Sequence, residues 1–208
     1  AFISHLAMDR YAPASTQNQA IHALMYLYQQ ALGMKPAWLD RYVKEREQGG
    51  IPNVLSTSEV QRVLGQLFGQ EWLVSALVYG SGLRLMEAVR VRVRDVDFHN
   101  KRVQVRNSYG QVVRTSILPE SLIAALPDHL EQRKLIHIKD VAEGHGEVYL
   151  EPHLARSEAA HARSWAMQYV FTERRCKPDP RSAGKVRRHH ADERLIAQAI
   201  ERASVEAN

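Results

Sequence analysis

The hydrophobic period of the chain changes twice, and this constrains the fold more than any other feature of the sequence. Apolar residues recur at helical spacing from about residue 60 to residue 93, and again from Ser121 to about Val141. Between these stretches, Val103 and Val105 alternate with polar residues, and Tyr109–Gly110 forms a turn before a second strand-like run. This order of helices, hairpin and helix predicts a mixed, mainly α (α+β) fold.

A separate helical pattern opens the chain and is followed by a polar stretch. Residues 13–16 begin this pattern and Gly33 ends it. Residues 46–53 contain two glycines and a proline, which is typical of a linker. Ser56 and Glu59 then form a capping box, which signals a new helix. The predicted organisation is a helical domain over residues 1–48, a linker over 49–55 and a second domain over 56–208.

The charge of the chain favours a polyanionic partner. Lys and Arg total 28 against 23 Asp and Glu, which gives a net charge of +5 with neutral histidine. The positive residues are concentrated in two stretches, 84–106 and 174–188. Clustered positive charge raises the local concentration of nucleic acid. A solvated surface balanced by nearby acidic residues explains the same pattern equally well.

Cysteine content and hydropathy restrict the compartment. Cys176 is the single cysteine, so no disulfide can form within the chain and a reducing compartment fits best. No apolar run approaches the ~20 residues that span a bilayer, and the first residues lack the charged region of a signal peptide. We expect a cytoplasmic protein without a membrane partner.

The run from Tyr79 to Ala88, YGSGLRLMEA, resembles the first catalytic box of tyrosine recombinases. The wider sequence is similar to one branch of that family, the integron integrases. Five further strings carry this resemblance in the family's order: residues 14–20 (ASTQNQA), 144–150 (GHGEVYL), 168–171 (QYVF), 179–182 (DPRS) and 187–190 (RRHH). The resemblance implies that residues 1–48 are the end of a helical, SAM-like core-binding domain. It implies that residues 56–208 are a truncated recombinase catalytic domain.

The resemblance also implies a catalytic set of two arginines, a hairpin lysine, two histidine-type residues and a tyrosine nucleophile. Arg84 matches the first arginine, and Glu87 lies on the same side of the helix, where it can support Arg84. A planar guanidinium fits the non-bridging oxygens of a phosphate under attack. Gly80 and Gly82 would break the helix so that Arg84 begins the next one. The alternative is an ordinary surface ion pair between Arg84 and Glu87, which is common.

The remaining catalytic positions depart from the family's pattern. The hairpin turn reads NSYGQVVR over residues 107–114, which places Tyr109 where the family has its lysine. Tyrosine cannot replace an ammonium group as the proton donor, and Arg114 is too basic to do so. No part of the sequence resembles the later HxLRH and LGH boxes or the tyrosine-bearing helix. We expect a chain that binds DNA but cannot recombine it alone; a fragment and a decayed gene both stay open.

Residues 150–190 correspond to the integron-specific insert, which in that branch carries an added helix and contacts extrahelical bases of a folded single-stranded site. Base recognition needs an aromatic face and hydrogen-bond donors. Four residues match the positions at which the resemblance implies contacts with bases: Trp165, Pro180, His189 and His190. Met167 stands where the family has a second tryptophan, and it could still pack on a base with less stacking area. The alternative is that Trp165, Tyr169 and Phe171 belong to the core.

Three functions are compatible with these observations. The first is a DNA-binding remnant that contacts a folded single-stranded hairpin or a duplex site through five cations: Arg102, Arg106, Arg114, Arg187 and Arg188. The second is a complete recombinase that cuts one strand through a tyrosine, if the natural chain continues. The third is an inert or protein-interaction module that self-associates through an unfilled helix-acceptor groove. No cofactor or metal is expected, because His189 and His190 lack further ligands at metal-binding spacing.

Overall fold

A computed structural model describes residues 2–34, 54–107 and 109–207 of the chain. Two compact units are present, residues 1–54 and residues 55–208. The boundary lies within the segment predicted as a linker, and residues 49–53 of that segment lie outside the described residues. The first unit contains helices α1 (Phe2–Met8) and α2 (Ala14–Tyr26), and α2 continues into a π-helical turn, Leu27–Ala31.

Six α-helices and two small sheets make up the described part of the second unit. The helices are α3 (Thr57–Gly65), α4 (Gly69–Ser81), α5 (Leu85–Val89), α6 (Glu120–Ala142), α7 (Pro152–Glu158) and α8 (Glu193–Glu206). The strands are β1 (Val96–Asp97), β2 (Arg102–Arg106), β3 (Val112–Ile117), β4 (Lys177–Asp179) and β5 (Lys185–Arg187). The mixed, mainly α class predicted from the hydrophobic period is confirmed.

Local signals account for most of the boundaries between helices α3, α4 and α5. The capping box at the start of α3 is present, since Ser56 N–H donates to Glu59 Oε2 at 2.7 Å and Ser56 Oγ accepts from Glu59 N–H. Helix α4 ends at Gly82, whose φ of 61° is left-handed and favours glycine. The expectation that Gly80 also breaks the helix is wrong. Gly80 lies inside α4, and a Cβ there would come within 2.3 Å of Pro119 Cγ.

The hairpin predicted around Tyr109–Gly110 is confirmed, and β1 extends it to three antiparallel strands in the order β1–β2–β3. Val103 lies opposite Ser116 and Val105 opposite Arg114, with a register shift directly after Val105. Val103 and Val105 are buried while most other residues of the hairpin are exposed. The sheet therefore covers the core with one face and presents the other to solvent.

The core of the second unit is formed where α4, the sheet, α6 and α8 meet. Its most buried side chains include Leu77, Leu122, Phe171 and Ile196. A smaller apolar cluster lies under α7 and contains Leu154, Met167 and Tyr169 among others. Of the three aromatic residues in the insert, Tyr169 and Phe171 are thus core residues, as the alternative interpretation expected.

The stretch predicted as an insert, residues 150–190, contains more regular structure than its weak sequence signal indicates. It holds α7, three short 3₁₀ turns and the antiparallel hairpin β4–β5. No helix within the described residues is both long and apolar enough to cross a membrane.

Candidate functional site

Arg84 lies directly before α5 and extends into solvent. Its backbone N–H donates to Glu87 Oε2 at 2.8 Å, and its Nη1 donates to Glu87 Oε1 at 3.2 Å. The Arg84 side chain is 83% exposed, whereas that of Glu87 is 14% exposed. Glu87 therefore holds the backbone of Arg84, while most of the guanidinium remains free to meet an anion.

A second arginine reaches the same carboxylate from the hairpin. Arg114, on β3, donates from Nη1 to Glu87 Oε1 and from Nη2 to Glu87 Oε2, each at 2.9 Å. Its Nη2 also donates to the carbonyl of Gly82 at 3.2 Å, which ties the hairpin to the end of α4. This bidentate fork is the strong geometry for an arginine and a carboxylate. We call Arg84, Glu87 and Arg114 the Glu87 site.

The electrostatics of the Glu87 site favour a bound anion. The hydrogen bond from Arg114 lowers the pKa of Glu87 to about 2 from its ordinary value of 4.5, against the opposing effect of burial and with help from Arg84. Glu87 is thus ionised at neutral pH and balances one of the two arginines. The site keeps a net positive charge on a surface with free guanidinium N–H groups.

Tyr109 lies at the tip of the β2–β3 hairpin, where it is 69% exposed. The turn is held by Asn107, whose Oδ1 accepts from the N–H groups of Tyr109 and Gln111. Arg106 Nη1 donates to the carbonyl of Gly110 at 2.9 Å. The hairpin therefore presents a phenol to solvent at the position where the resemblance implies a lysine.

The arginines predicted to contact DNA divide into exposed and buried groups. Arg102 is exposed on β2, and Arg114 is partly exposed. Arg106 instead pairs with the buried Asp95, with Nε to Oδ1 at 2.7 Å. Arg187 is buried beside Asp179, at 3.6 Å, and faces the ring of Tyr149.

Arg188 is occupied by the protein itself. Its Nε and Nη2 donate to the two carboxylate oxygens of Asp140 at 2.6 and 2.7 Å. Its Nη1 donates to the carbonyls of Glu173 and Arg174. All three nitrogens are engaged, so this side chain offers an external phosphate little in the present conformation.

The residues predicted to contact bases are distributed unevenly. Trp165 is partly exposed, and its ring lies tilted at 34° to that of His137, with the ring centres 5.8 Å apart. Pro180, His189 and His190 line one open cleft, together with Arg181. Met167 is only 1% exposed, within the cluster under α7, so a base could reach it only after that cluster opens.

Two groups of side chains in this unit have no local sequence signal. The first joins Arg92 and Asp95 to distant residues of the insert and the hairpin. The second, which we call the Asp140 cluster, contains Arg133, Asp140, Cys176 and Arg188. Burial raises the pKa of the Cys176 thiol, which is the opposite of activation. Within the described residues, no set of His, Cys, Asp or Glu side chains is arranged to hold a metal ion.

The sequence was compared with known proteins. No protein-family profile matches the chain. An integrase/recombinase of Escherichia coli is 37% identical to it over 207 residues, which is 100% of this chain and 61% of that protein. The chain thus spans about three-fifths of the length of this relative.

Two further comparisons concern XerA recombinases. The tyrosine recombinase XerA of Thermococcus onnurineus is 30% identical over 86 residues, 40% of this chain and 30% of that protein. A crystal structure of XerA recombinase is 19% identical in sequence to this chain. The match covers 99% of this chain and 59% of the chain in that structure, with a TM-score of 0.48. The chain is thus similar in sequence to an integrase/recombinase over its whole length, and to a tyrosine recombinase over 86 residues.

Proposed function

We propose that this chain is a DNA-binding part of a site-specific tyrosine recombinase of the integron type, and that the 208 residues alone do not cleave DNA. The observation that carries the proposal is the convergence of Arg84 and Arg114 on Glu87 at an exposed surface. A guanidinium held by one carboxylate keeps a fixed direction, which suits bidentate contact with a phosphate.

The second part of the proposed DNA surface is formed by the insert. Trp165 supplies an aromatic face, and the cleft lined by Pro180, His189 and His190 supplies ring surfaces and hydrogen-bonding nitrogens. Single-stranded sites with unstacked bases are recognised by stacking and by contacts to base edges. We leave Met167, Arg187 and Arg188 out of this surface, because the protein itself covers or occupies their side chains.

The proposed lack of cleavage is based on the chemistry of the hairpin. The lysine that the resemblance implies at this position would donate a proton and also carry a positive charge beside the phosphate. The phenol of Tyr109 is neutral and cannot supply that charge, and the Arg114 guanidinium is held by Glu87 and keeps its proton. The position therefore contributes contact surface to DNA and no acid catalysis.

Binding to a folded single-stranded hairpin with extrahelical bases tests the DNA-binding part of the proposal. Fluorescence anisotropy would compare this hairpin with a plain duplex of equal length, from about 50 mM to about 300 mM salt. We expect tighter binding to the hairpin and a steep loss of affinity with salt. Trp165→Ala should reduce the preference for the hairpin, whereas the matched control Phe68→Ala, an exposed aromatic residue elsewhere, should leave it unchanged. Equal binding to both DNAs would contradict the integron assignment.

A denaturing gel tests the absence of cleavage. The chain is incubated with a nicked substrate that traps covalent recombinase–DNA intermediates. We expect no covalent adduct from the 208-residue chain. A stable protein–DNA band that resists denaturant would overturn this part of the proposal and favour the complete recombinase.

An interaction role is the second candidate, and one observation favours it. Leu135, Ile138 and Val141 are exposed at a spacing that places them along one side of α6. Exposed apolar stripes often mark surfaces that bind another protein. Sedimentation at increasing concentration tests self-association, and a monomer at all concentrations would count against it.

A further inference from the structure

We propose that Arg92 is a positioning residue that couples the insert to the hairpin turn, so that the two respond to DNA as one unit. Here the 147–169 segment denotes the three residues before the insert together with the first part of the insert, and the hairpin turn denotes residues 106–111. The coupling rests on the proposed function in one respect, since both parts belong to the proposed DNA surface.

Arg92 binds the 147–169 segment through both terminal nitrogens of its guanidinium. Nη1 donates to the carbonyl of Met167 at 2.8 Å, and Nη2 donates to the carbonyl of Tyr149 at 3.2 Å. Nη2 also lies 3.4 Å from Glu151 Oε2 and from the Tyr169 hydroxyl. The Arg92 side chain is 3% exposed. One buried guanidinium thus contacts four residues of the segment, two near its start and two near its end.

The backbone around Arg92 strengthens this attachment. Val93 N–H donates to the carbonyl of Gln168, and Val170 N–H donates to the carbonyl of Val91, each at 2.9 Å. Arg92 and Tyr169 form an antiparallel bridge between these bonds. The segment is therefore fixed directly to the stretch that follows α5, the helix of the Glu87 site.

The same residue is connected to the hairpin turn through Asp95 and Arg106. Arg92 N–H donates to Asp95 Oδ2 at 3.1 Å, and Asp95 Oδ1 accepts from Arg106 Nε at 2.7 Å. Arg106 Nη1 then donates to the carbonyl of Gly110 at 2.9 Å. Asp95 is almost completely buried. In a low-dielectric setting such charged links are stiff, because breaking one leaves an unpaired buried charge.

The hairpin turn also packs directly on the insert. A Cβ added to Gly110 would lie 2.4 Å from Leu154 Cδ1 and 3.4 Å from Glu151 Oε2. Glu151 is also the ion-pair partner of Arg92. The polar contact of Arg92 and the apolar contact of Gly110 therefore both end at the first turn of α7. Displacement of α7 by a base near Trp165 would therefore move the turn that carries Tyr109.

Hydrogen exchange in the free chain tests the coupling without DNA. Arg92→Lys keeps the charge and the backbone N–H bond to Asp95, but it cannot reproduce the fork and so releases the segment on which Gly110 packs. We expect exchange in peptides covering the hairpin turn to rise about tenfold together with exchange in the 147–169 segment, while α4 stays as in the wild type. Leu126→Ala, a fully buried core truncation on α6, is the control for general destabilisation and should raise exchange in α4 as well. Faster exchange in the segment with an unchanged hairpin turn would overturn the proposal.

A mutant cycle tests the consequence for DNA binding. The combined effect of Tyr109→Ala and Trp165→Ala on affinity for the DNA hairpin should differ from the sum of the single effects by about threefold or more. In the Arg92→Lys background the two effects should become additive. Additive effects in the wild-type background would contradict the coupling. If the chain binds no DNA, the proposed function fails, and the exchange experiment still decides whether the two parts are coupled.

Discussion

The Glu87 site and the Asp140 cluster are built from the same chemical parts but present them in opposite ways. In each, an arginine makes a bidentate contact with one carboxylate, Arg114 with Glu87 and Arg188 with Asp140. In the Asp140 cluster the remaining arginine donor binds backbone carbonyls and the side chains are nearly covered. In the Glu87 site, Arg84 adds a second, exposed guanidinium.

The difference lies in what surrounds each carboxylate. Glu87 lies between the hairpin and the end of α4, where solvent reaches the arginines from one side. Asp140 lies near the end of α6 under the 173–174 backbone, which closes over Arg188. Breaking a buried ion pair is costly, because it leaves a charge without its partner. The Asp140 cluster therefore holds the fold together, whereas the Glu87 site remains available to a ligand. Density of arginine in the sequence does not distinguish the two.

Removing the carboxylate of the Asp140 cluster should have the largest effect on stability. Asp140→Ala leaves Arg188 and Arg133 facing each other without their anion. Arg133 is 4% exposed, and burial, followed by the charge of Arg188, lowers its pKa to about 10. Two of its N–H groups already lack a partner within the described residues. We expect a loss of about 3 to 5 kcal/mol in the free energy of unfolding, measured with urea.

Glu120→Ala is the matched control for this change, because Glu120 is an acidic residue of the same helix. Its side chain is 83% exposed and pairs with Lys101 at the surface. The free energy of unfolding should hardly change, because water screens an exposed ion pair. Similar losses for both variants would mean that the Asp140 cluster does not differ from a surface ion pair.

Local signals in the sequence predict the elements that carry the Glu87 site, because each depends on neighbours in the chain. The capping box at Ser56, the alternation at Val103 and Val105 and the left-handed Gly82 are signals of this kind. The Arg84–Glu87 pair lies within one helical turn and could be predicted as well. The early end of α5 at Val89 and the hairpin β4–β5 could not, since tertiary contacts decide where these elements end.

Partners that are distant in the chain could not be predicted from one sequence. Arg114 and Glu87 are 27 residues apart, and Arg188 and Asp140 are 48 residues apart. No periodicity of the sequence relates such positions, and a count of charges does not distinguish one arginine from another. The prediction of DNA contacts for Arg187 and Arg188 depended on charge clustering and on the resemblance of residues 187–190. The burial of Arg187 and the pairing of Arg188 with Asp140 became visible only in the folded chain.

Removing both arginines of the Glu87 site should weaken DNA binding with little effect on stability. We expect Arg84→Ala/Arg114→Ala to lower the affinity for the DNA hairpin about 30-fold at about 100 mM salt. The slope of log affinity against log salt should decrease by about 2, because two phosphate contacts are lost. Anisotropy titrations at several salt concentrations measure both quantities.

The matched control for that double variant removes the same charge from α3 and α8. Arg62 and Arg202 are exposed and do not line the cleft of Pro180, His189 and His190. Arg62→Ala/Arg202→Ala should leave the salt slope nearly unchanged. An equal loss in both double variants would show that net charge, and no particular site, determines the affinity.

Replacing Glu87 should have the smallest effect, and its dependence on pH identifies the source. The Arg114 hydrogen bond holds the pKa of Glu87 at about 2, below the ordinary 4.5. A lowered folded-state pKa stabilises the fold above about pH 4.5, and this contribution disappears as the pH falls through 2. Because Arg84 and Arg114 are open to solvent, we expect only about 1 kcal/mol. Urea unfolding of the wild type and Glu87→Gln should therefore differ by this amount at pH 7 and converge in acid. A difference independent of pH would mean that Glu87 acts through packing, and that the arginines of this site are not held by its charge.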